Sequence, residues 1–280
     1  MIPSGRPFYK MSGSGNDFVM VDARTGGIGT LADAAMVGRV CARATGVGAD
    51  GIVFLEPSTK AAVRLTYLNA DGSRADLCGN ATLCTARLAV ELGIADPAGF
   101  DIETDSGAVH ATVSDGLPEI ALPLVSDVRP TAEGIDSSPG EQRIGYALVG
   151  VPHLVISCVD VATVDVVGRG RPLRSHPSMP KGTNVNFVSP LDGDGRWRMR
   201  TYERGVEAET LACGSGSVAS AILVTQWASQ APNPGEVRKV ELVTSSGRSL
   251  VVRLTHESGI WTPRLAGEGR IVFSGSLGEI

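Results

Sequence analysis

Two cysteines occur in matched sequence contexts that could support acid–base chemistry. Cys78 comes directly before Gly-Asn and Cys213 directly before Gly-Ser, and an almost uncharged segment follows each of them. These segments predict helices over Asn80–Leu92 and Gly214–Ser229. A helix start offers unpaired N–H groups and the positive end of the helix dipole. Each cysteine is therefore expected where a carboxylate can bind and where the pKa of a thiol is lowered.

A thiolate and a thiol that meet one ligand from opposite sides could invert a carbon atom. One thiolate would remove a proton from one face while the other thiol delivers a proton to the opposite face. The α-hydrogen of an amino acid is a weak acid, so preorganised donors must hold the developing negative charge, and two helix starts could supply them. No motif suggests a cofactor, because GSGND at Gly13–Asp17 is not GxGxxG and no GxxxxGK[ST] segment occurs. We expect no cofactor.

The other cysteines and His153 have less specific interpretations. Cys41, Cys84 and Cys158 lie in apolar segments and are expected to be inert core thiols. His153, in GVPHLVI, taken by itself is better explained as a strand histidine with satisfied hydrogen bonds. A zinc site formed by Cys78, Cys84, Cys213 and His153 is conceivable, but the CxxC and HxxxH spacings are missing. No metal is predicted.

The composition favours a small-molecule ligand. The 280 residues carry 25 basic and 30 acidic side chains, a formal net charge of −5, and 42% of them are hydrophobic. An acidic balance with short, interrupted basic clusters argues against nucleic-acid binding. No apolar run reaches the ~18 residues of a membrane span, and the N-terminus lacks the apolar core of a signal peptide. Five sparse cysteines agree with a reducing compartment, so a cytoplasmic location is expected.

Strands are expected to outnumber helices. The 35 glycines and 16 prolines are spread evenly as many short turns, which is typical of a strand-rich chain. The predicted strands include Gly51–Glu56, Glu119–Leu124 and Arg270–Ser274. Leu31–Ala42 has the spacing of an amphipathic surface helix, and its core-facing side is predicted to hold Leu31, Ala34, Ala35, Gly38 and Cys41.

An internal repeat predicts two related halves. Asn69–Gly93 and Glu203–Gln226 share a polar turn, a Cys-Gly-polar step and an apolar helix, and they lie almost half a chain apart. A helix that is apolar all round must be enclosed, and a sheet wrapped around it can enclose it. The first domain is expected to span residues 1–125, with 268–280 returning to it, and the second to span 126–267.

Four segments resemble, in order and over nearly the whole chain, the signature segments of the diaminopimelate epimerase family: FYKMSGSGNDFVMVDAR, NADGSRADLCGN, KGTNVNFV and RTYERGVEAETLACGSGS. The resemblance implies an α+β fold of two pseudo-symmetric domains, each a β-barrel-like sheet wrapped around a central α-helix, with the active site in the cleft between them. It also implies a cofactor-independent interconversion of LL- and meso-diaminopimelate for bacterial lysine and peptidoglycan synthesis. A homodimer is a further expectation, because such enzymes are frequently dimers.

The same resemblance implies roles for individual residues. Cys78 and Cys213 look like the two acid/base thiols, and His153 and Glu203 fall where the family has groups that tune the thiols. A neighbouring imidazole or carboxylate can accept a thiol proton and steady the thiolate. The positions that match the family's substrate-binding groups are Asn16, Asn69, Gly79, Asn80, Asn184, Glu203, Arg204, Gly214 and Ser215.

The chain departs from the family pattern at several positions. Ala81 replaces the last glycine of CGNG, Leu83 replaces an arginine and Ser12 replaces a histidine. Val151 stands where the family commonly has the asparagine of Asn-Pro-His, and valine cannot hydrogen-bond the distal end of the substrate. Substrate identity is therefore left open, with a related racemase of another amino acid, for instance histidine, as the alternative.

Two further classes remain to be separated from these. Phenazine-type isomerases share the architecture but are expected to lack the second catalytic cysteine, which is Cys213 here. The other class is a non-catalytic amino-acid binder, and the presence of both cysteines in intact sequence contexts argues against it.

Overall fold

A computed structural model of the chain describes residues 5–191, 195–229 and 231–279. Within these ranges the strands, numbered in chain order, are β1 (Pro7–Gly13), β2 (Asn16–Asp22), β3 (Gly51–Glu56), β4 (Val63–Asn69), β5 (Phe100–Thr104), β6 (Gly107–Ser114), β7 (Leu117–Ala121), β8 (Val128–Arg129), β9 (Glu141–Val149), β10 (Val151–Cys158), β11 (Asn184–Leu191), β12 (Arg196–Glu203), β13 (Ala208–Thr210), β14 (Arg238–Val243), β15 (Ser249–Glu257), β16 (Ile260–Ala266) and β17 (Arg270–Ser276). The α-helices are α1 (Ala34–Cys41), α2 (Gly79–Glu91), α3 (Val166–Arg174) and α4 (Gly214–Trp227), and the 3-10 helices are Gly29–Ala32 and Val161–Thr163.

The chain divides into two compact units. The first comprises Met1–Ile120 together with Ala266–Ile280, and the second comprises Ala121–Leu265. The division expected from the sequence differs from these units by a few residues at each junction.

The first unit is a mixed sheet that holds one helix on each face. Its strands pair in the order β17, β1, β2, β3, β4, β5, β6, β7, and all pairs are antiparallel except β2 with β3 and β4 with β5. Helix α2 contacts β1, β2, β3, β4, β6 and β17. Alternate residues of β2 and β3, such as Val19, Val21 and Phe54, pack instead with Val37 and Val40 of α1.

The second unit repeats this order. Its strands pair as β8, β9, β10, β11, β12, β14, β15, with β10–β11 and β12–β14 parallel and the short β13 also on β12. Helix α4 contacts β9, β10, β11, β14 and β15. Helix α3 lies on the other face, where Val166 and Leu173 pack with Val185, Phe187 and Tyr202.

Burial of helices α2 and α4 is helped by threonine side chains that bond within the helix. Thr85 Oγ1 donates to the carbonyl of Ala81, and Thr225 Oγ1 donates to the carbonyl of Ala221, at 2.9 and 2.7 Å. Such a bond to the carbonyl four residues earlier satisfies a hydroxyl without leaving the helix. All of 216–225 is buried, and in α2 the exposed charge of Glu91 is bonded to Arg87.

Equivalent positions in the two units follow from the repeated order. Asn16 is the first residue of β2 and Val151 the first of β10, while Asn69 ends β4 and Glu203 ends β12. Cys78 and Cys213 are the residues that cap α2 and α4. The pairs Asn16/Val151, Asn69/Glu203 and Cys78/Cys213 can therefore be compared directly.

Two local predictions were wrong. Leu31–Ala42 is not one helix, because Asp33 is extended (ψ 130°) and separates the 3-10 helix from α1. Ala34 and Ala35 are exposed, and Val37 and Val40 take the buried side with Leu31 and Cys41. The strand predicted over Glu119–Leu124 starts at Leu117 and ends at Ala121.

Candidate active site

Cys78 lies at the start of helix α2, where the backbone is open. Its own backbone is extended (φ −127°, ψ 112°), and its carbonyl accepts hydrogen bonds from the backbone N–H and from Oγ1 of Thr82, both at 2.9 Å. The side chain of Cys78 is half-buried. The N–H groups of Gly79 and Asn80, in the first turn, have no carbonyl further back in the helix to bond. This geometry fits the binding of an anion beside a thiol.

Strand β1 approaches this helix start closely at Gly13. A Cβ there would lie 2.8 Å from the carbonyl oxygen of Asn80 and 3.1 Å from Sγ of Cys84. Only glycine fits at this distance.

Asn16 and Asn80 are joined in a relay of side-chain amides that begins at Asp50. The carboxylate of Asp50 can only accept, so Asn16 directs its Nδ2 to Asp50 at 3.1 Å. Oδ1 of Asn16 therefore points the other way and accepts from Nδ2 of Asn80 at 2.6 Å. Asn80 is buried, and its Oδ1 has no hydrogen-bond partner among the described residues. The relay leaves one buried acceptor at the start of α2.

A cluster of four charges anchors this relay. Arg43 bonds both Asp17 (2.9 Å) and Asp50 (2.6 Å), and the buried ammonium group of Lys10 bonds Asp17 at 2.5 Å. Burial opposes ionisation of Asp17, but the hydrogen bonds from Arg43 and Lys10 outweigh it and lower the pKa of this carboxyl. These contacts fix Asp50, and its Oδ2 accepts hydrogen bonds from Nδ2 of Asn16 and from the backbone N–H of Asp17.

Asn69 is held separately, in the turn that precedes Cys78. Its Nδ2 donates to Oγ of Ser73 at 3.0 Å, and its backbone N–H donates to the carbonyl of Ser73 at 2.8 Å. Ser73 in turn donates to Asp71. The turn fixes Asn69 at the end of β4.

Cys213 occupies the equivalent place at the start of α4, but it is buried. Its backbone is extended (φ −136°, ψ 110°), and its carbonyl accepts from the backbone N–H and Oγ of Ser217. Its Sγ lies 3.7 Å from Oγ of Ser215. Gly214 and Ser215 supply the open N–H groups of the first turn.

His153 lies in a fully buried polar network of the second unit. Nδ2 of Asn186 lies 3.2 Å from Nδ1 of His153 and 2.9 Å from the carbonyl oxygen of Leu154, and Oδ1 of Asn186 accepts from Oγ1 of Thr201 at 3.0 Å. Burial, with a smaller contribution from the nearby positive charge of Arg204, lowers the pKa of His153 to about 3. Its Nε2 has no hydrogen-bond partner among the described residues.

Asn184, Glu203 and Arg204 lie together in the second unit. Oδ1 of Asn184 accepts from the backbone N–H of Arg204 at 2.8 Å, and Nη1 of Arg204 donates to the carbonyl of Lys181 at 2.8 Å. Oε2 of Glu203 accepts from Oγ1 of Thr210 at 2.8 Å. Asn184 pairs with His153 in the parallel ladder of β10 and β11, so these side chains share one end of the sheet.

The remaining thiols are in the core. Burial raises the pKa of Cys41 to about 11 and that of Cys158 to about 12, and it raises the pKa of Cys84 well above its ordinary value. Over the described ranges, no group of three or more His, Cys, Asp or Glu side chains could hold a metal ion.

Sequence reasoning missed Asp50, which orients the amide of Asn16, and Asn186, which bonds the imidazole of His153. Asn186 had a signal, because residues two apart in a strand share a face and Asn184 and Asn186 place two amides on one face of a buried strand. Asp50 gave no such signal, because it is only one acidic residue that precedes a strand.

The chain shares its fold with a phenazine biosynthesis protein and a hydroxyproline epimerase of known structure. A phenazine biosynthesis protein of the PhzF family from Bacillus anthracis has a TM-score of 0.70 at 16% identity, covering 97% of this chain and 98% of that chain. A hydroxyproline epimerase from Agrobacterium vitis has a TM-score of 0.69 at 18% identity, covering 99% and 93%. At these identities the likeness shows the fold alone, and the predicted α+β fold class is confirmed.

The particular family follows from sequence. The diaminopimelate epimerase profile matches residues 8–121 and 145–259. A diaminopimelate epimerase from Gemmatimonas aurantiaca is 45% identical over 279 residues, which cover 96% of this chain and 98% of that protein. The chain belongs to the diaminopimelate epimerase family. None of the helices in the described ranges could span a lipid bilayer.

Proposed function

We propose that the chain epimerises LL-diaminopimelate to meso-diaminopimelate without a cofactor, as an isomerase of lysine and peptidoglycan precursor synthesis. Membership of the family supports this proposal. The single observation that carries the mechanism is that Cys78 and Cys213 cap equivalent buried helices of two units with the same strand order.

In the proposed reaction the two thiols exchange roles with the direction of the reaction. One is a thiolate and removes the α-proton, and the other is a thiol and gives its proton to the opposite face of the carbon. The thiolate becomes a thiol and the thiol becomes a thiolate, so charge and protons balance. The substrate's carboxylate takes up the negative charge that develops during the transfer, and helix-start N–H groups at Gly79, Asn80, Gly214 and Ser215 stabilise it.

The remaining candidate residues bind and orient the amino acid in this proposal. Arg204 offers a positive charge to a carboxylate. Asn16, Asn69, Asn80, Asn184 and Glu203 supply acceptors and donors for the two amino-acid ends. His153 and Glu203 tune the thiols.

A second candidate function is the racemisation of another amino acid. Val151 favours it, because it occupies the position equivalent to Asn16 and carries no hydrogen-bonding group. A site that lacks a polar contact discriminates less against a substrate that lacks the matching group.

A substrate panel separates the two functions. Purified, reduced protein is incubated with LL-diaminopimelate, L-histidine and L-proline, and the stereoisomers are resolved by chiral chromatography. Conversion of LL-diaminopimelate alone supports the proposal. Conversion of another amino acid with a higher kcat/KM contradicts the proposal. Binding of these amino acids without conversion of any of them would indicate a non-catalytic amino-acid binder.

The same proposal includes a cytoplasmic location and a homodimer. The sparse cysteines are consistent with a reducing compartment. Sedimentation of the reduced protein measures the oligomeric state directly, and a single monomer species would contradict the dimer.

A further inference from the structure

The buried amide of Asn186 has only one orientation that satisfies its neighbours. The carbonyl oxygen of Leu154, at 2.9 Å, can only accept, so it must meet the Nδ2 donor of Asn186. The hydroxyl of Thr201 then donates to Oδ1 at 3.0 Å. If the amide were flipped, two carbonyl oxygens would face each other at 2.9 Å in a buried site.

This orientation determines which ring nitrogen of His153 carries the proton. The second Nδ2 proton of Asn186 points to Nδ1 of His153, 3.2 Å away. Nδ1 must offer a lone pair to accept it, so Nδ1 carries no proton. A neutral imidazole has its proton on the other nitrogen, and His153 is therefore the Nε2–H tautomer.

Nε2–H of His153 is then a buried hydrogen-bond donor that lacks an acceptor within the described residues. His153 is 0% exposed, and its Nε2 has no partner within the described part of the chain. A buried donor that makes no hydrogen bond destabilises the folded chain. A thiolate or a carboxylate would satisfy it.

The same amide packs against the helix that carries Cys213. A Cβ at position 216, in the first turn of α4, would collide with Oδ1 of Asn186 and would lie 3.1 Å from Sγ of Cys213. Asn186 thus lies between the imidazole of His153 and the first turn of α4.

From this geometry we infer that Asn186 is a positioning residue that holds His153 as a hydrogen-bond donor through Nε2. The inference deepens the proposed function and rests on it for its catalytic consequence. The imidazole stabilises an anion by donation, and it does not take up a thiol proton, because its one lone pair is occupied by Asn186. The expectation from sequence, in which the imidazole accepts the thiol proton, is replaced.

The tautomer can be measured without any substrate. Protein labelled with ¹⁵N in its histidine rings is studied by NMR between about pH 5 and pH 8, where an ordinary imidazole titrates. Of the four histidines, the signals of His153 are those that vanish in His153→Gln. We expect a protonated Nε2 and an unprotonated Nδ1 throughout this range, since Arg204, the charged group that faces the ring, also disfavours imidazolium. Protonation of Nδ1, alone or with Nε2, would overturn the inference.

Two variants test whether Asn186 is the cause. Asn186→Leu removes both donors at similar volume, so the proton is expected to distribute over both ring nitrogens. Thr201→Val removes only the hydroxyl on the opposite side of the amide and is expected to leave the Nε2–H tautomer unchanged. An Asn186→Leu spectrum identical to that of the parent protein would contradict the assignment.

The catalytic consequence has its own readout. A hydrogen-bond donor aimed at developing negative charge contributes about 10²–10³-fold to a rate, so Asn186→Leu, which only misorients that donor, should lower kcat at least about tenfold with little change in KM. Thr201→Val should lower kcat by a smaller factor than Asn186→Leu does. If the parent protein epimerises no amino acid but shows the Nε2–H tautomer, then the proposed function fails and the positioning of His153 stands.

Discussion

The two units repeat one order of strands but leave hydrogen-bonding groups of opposite kind without partners among the described residues. In the first unit the relay from Asp50 through Asn16 ends on an unsatisfied acceptor, Oδ1 of Asn80. In the second unit the network around Asn186 ends on an unsatisfied donor, Nε2 of His153. The repeated strand order is therefore combined with side chains of different polarity, an acceptor in the first unit and a donor in the second.

The two networks also differ in how they are anchored. Asp50 is held by Arg43, whose side chain is 63% exposed, whereas Asn186 is 0% exposed and bonded to a backbone carbonyl. Exposed ion pairs weaken with salt, and buried neutral hydrogen bonds are much less affected. The orientation of Asn80 should therefore depend more on ionic strength than that of His153.

The largest expected effect concerns the acid stability of the second network. The pKa of His153 is about 3 in the folded chain and about 6.5 when unfolded, so between these values the unfolded state binds more protons. Stability is therefore retained above about pH 6.5 and lost as the pH falls toward 3. From about pH 6 to pH 4, the free energy of unfolding of the parent protein should fall by about 2–3 kcal/mol relative to His153→Gln.

Chemical denaturation at a series of pH values measures this difference. His110→Gln is the matched control, because His110 pairs with Asp101 on the surface. Parallel curves for the parent protein and His153→Gln would show that His153 is not buried in its neutral form.

Asp50→Asn should disturb the amides of Asn16 and Asn80 nearly as strongly. The new amide can donate, so Asn16 is no longer forced to turn its Oδ1 toward Asn80. Losing a charged hydrogen bond costs about 1.5–3 kcal/mol, and kcat/KM should fall about 10- to 100-fold. Asp22→Asn removes a comparable pair with Arg24 at the far end of β2 and serves as control; equal losses in the two variants would refute the relay.

Gly216→Ala and Ala81→Gly exchange the third residues of α4 and α2. A methyl at 216 collides with Asn186, and such overpacking costs about 1–3 kcal/mol. Position 81 already holds a buried alanine, so Ala81→Gly should cost about 1 kcal/mol of stability and leave kcat nearly unchanged. Steady-state kinetics with thermal unfolding of both variants separates the effects, and an active Gly216→Ala would argue that the amide has room to move.

Val151→Asn should have the smallest effect, a gain. It places an amide at the position where the first unit has Asn16, and a neutral hydrogen bond contributes about 0.5–1.5 kcal/mol. KM for LL-diaminopimelate should fall about tenfold or less, while Val151→Ala should give no gain. An unchanged KM in Val151→Asn would mean that this position does not contact the substrate.

Local pattern was sufficient to predict most elements from the sequence. Strand β3 coincides with its prediction over Gly51–Glu56, and α2 and α4 begin directly after the cysteines because apolar segments follow a Gly-polar step. Helix α3 was not predicted, since Gly168, Gly170 and Pro172 are poor helix formers. It forms because Val166 and Leu173 pack on the sheet.

The orientation of the candidate site could not be predicted in the same way. Which oxygen or nitrogen of Asn80 and His153 remains unsatisfied depends on Asp50 and Asn186, which come from other strands or loops. Residue types and spacing indicate which side chains belong to a site. Only the three-dimensional network determines whether each one donates or accepts.

The central claim is that one thiol from each unit acts on the same α-carbon. It is tested most directly by incubating the reduced protein with LL-diaminopimelate in deuterated water and following the α-hydrogen by proton NMR. We expect the meso form to appear with deuterium at the inverted carbon, and both conversion and exchange to drop at least about 10²-fold in Cys78→Ala and in Cys213→Ala. Cys84→Ala, the buried control thiol, should remain active. Full epimerisation by either Cys78→Ala or Cys213→Ala would contradict the two-thiol mechanism.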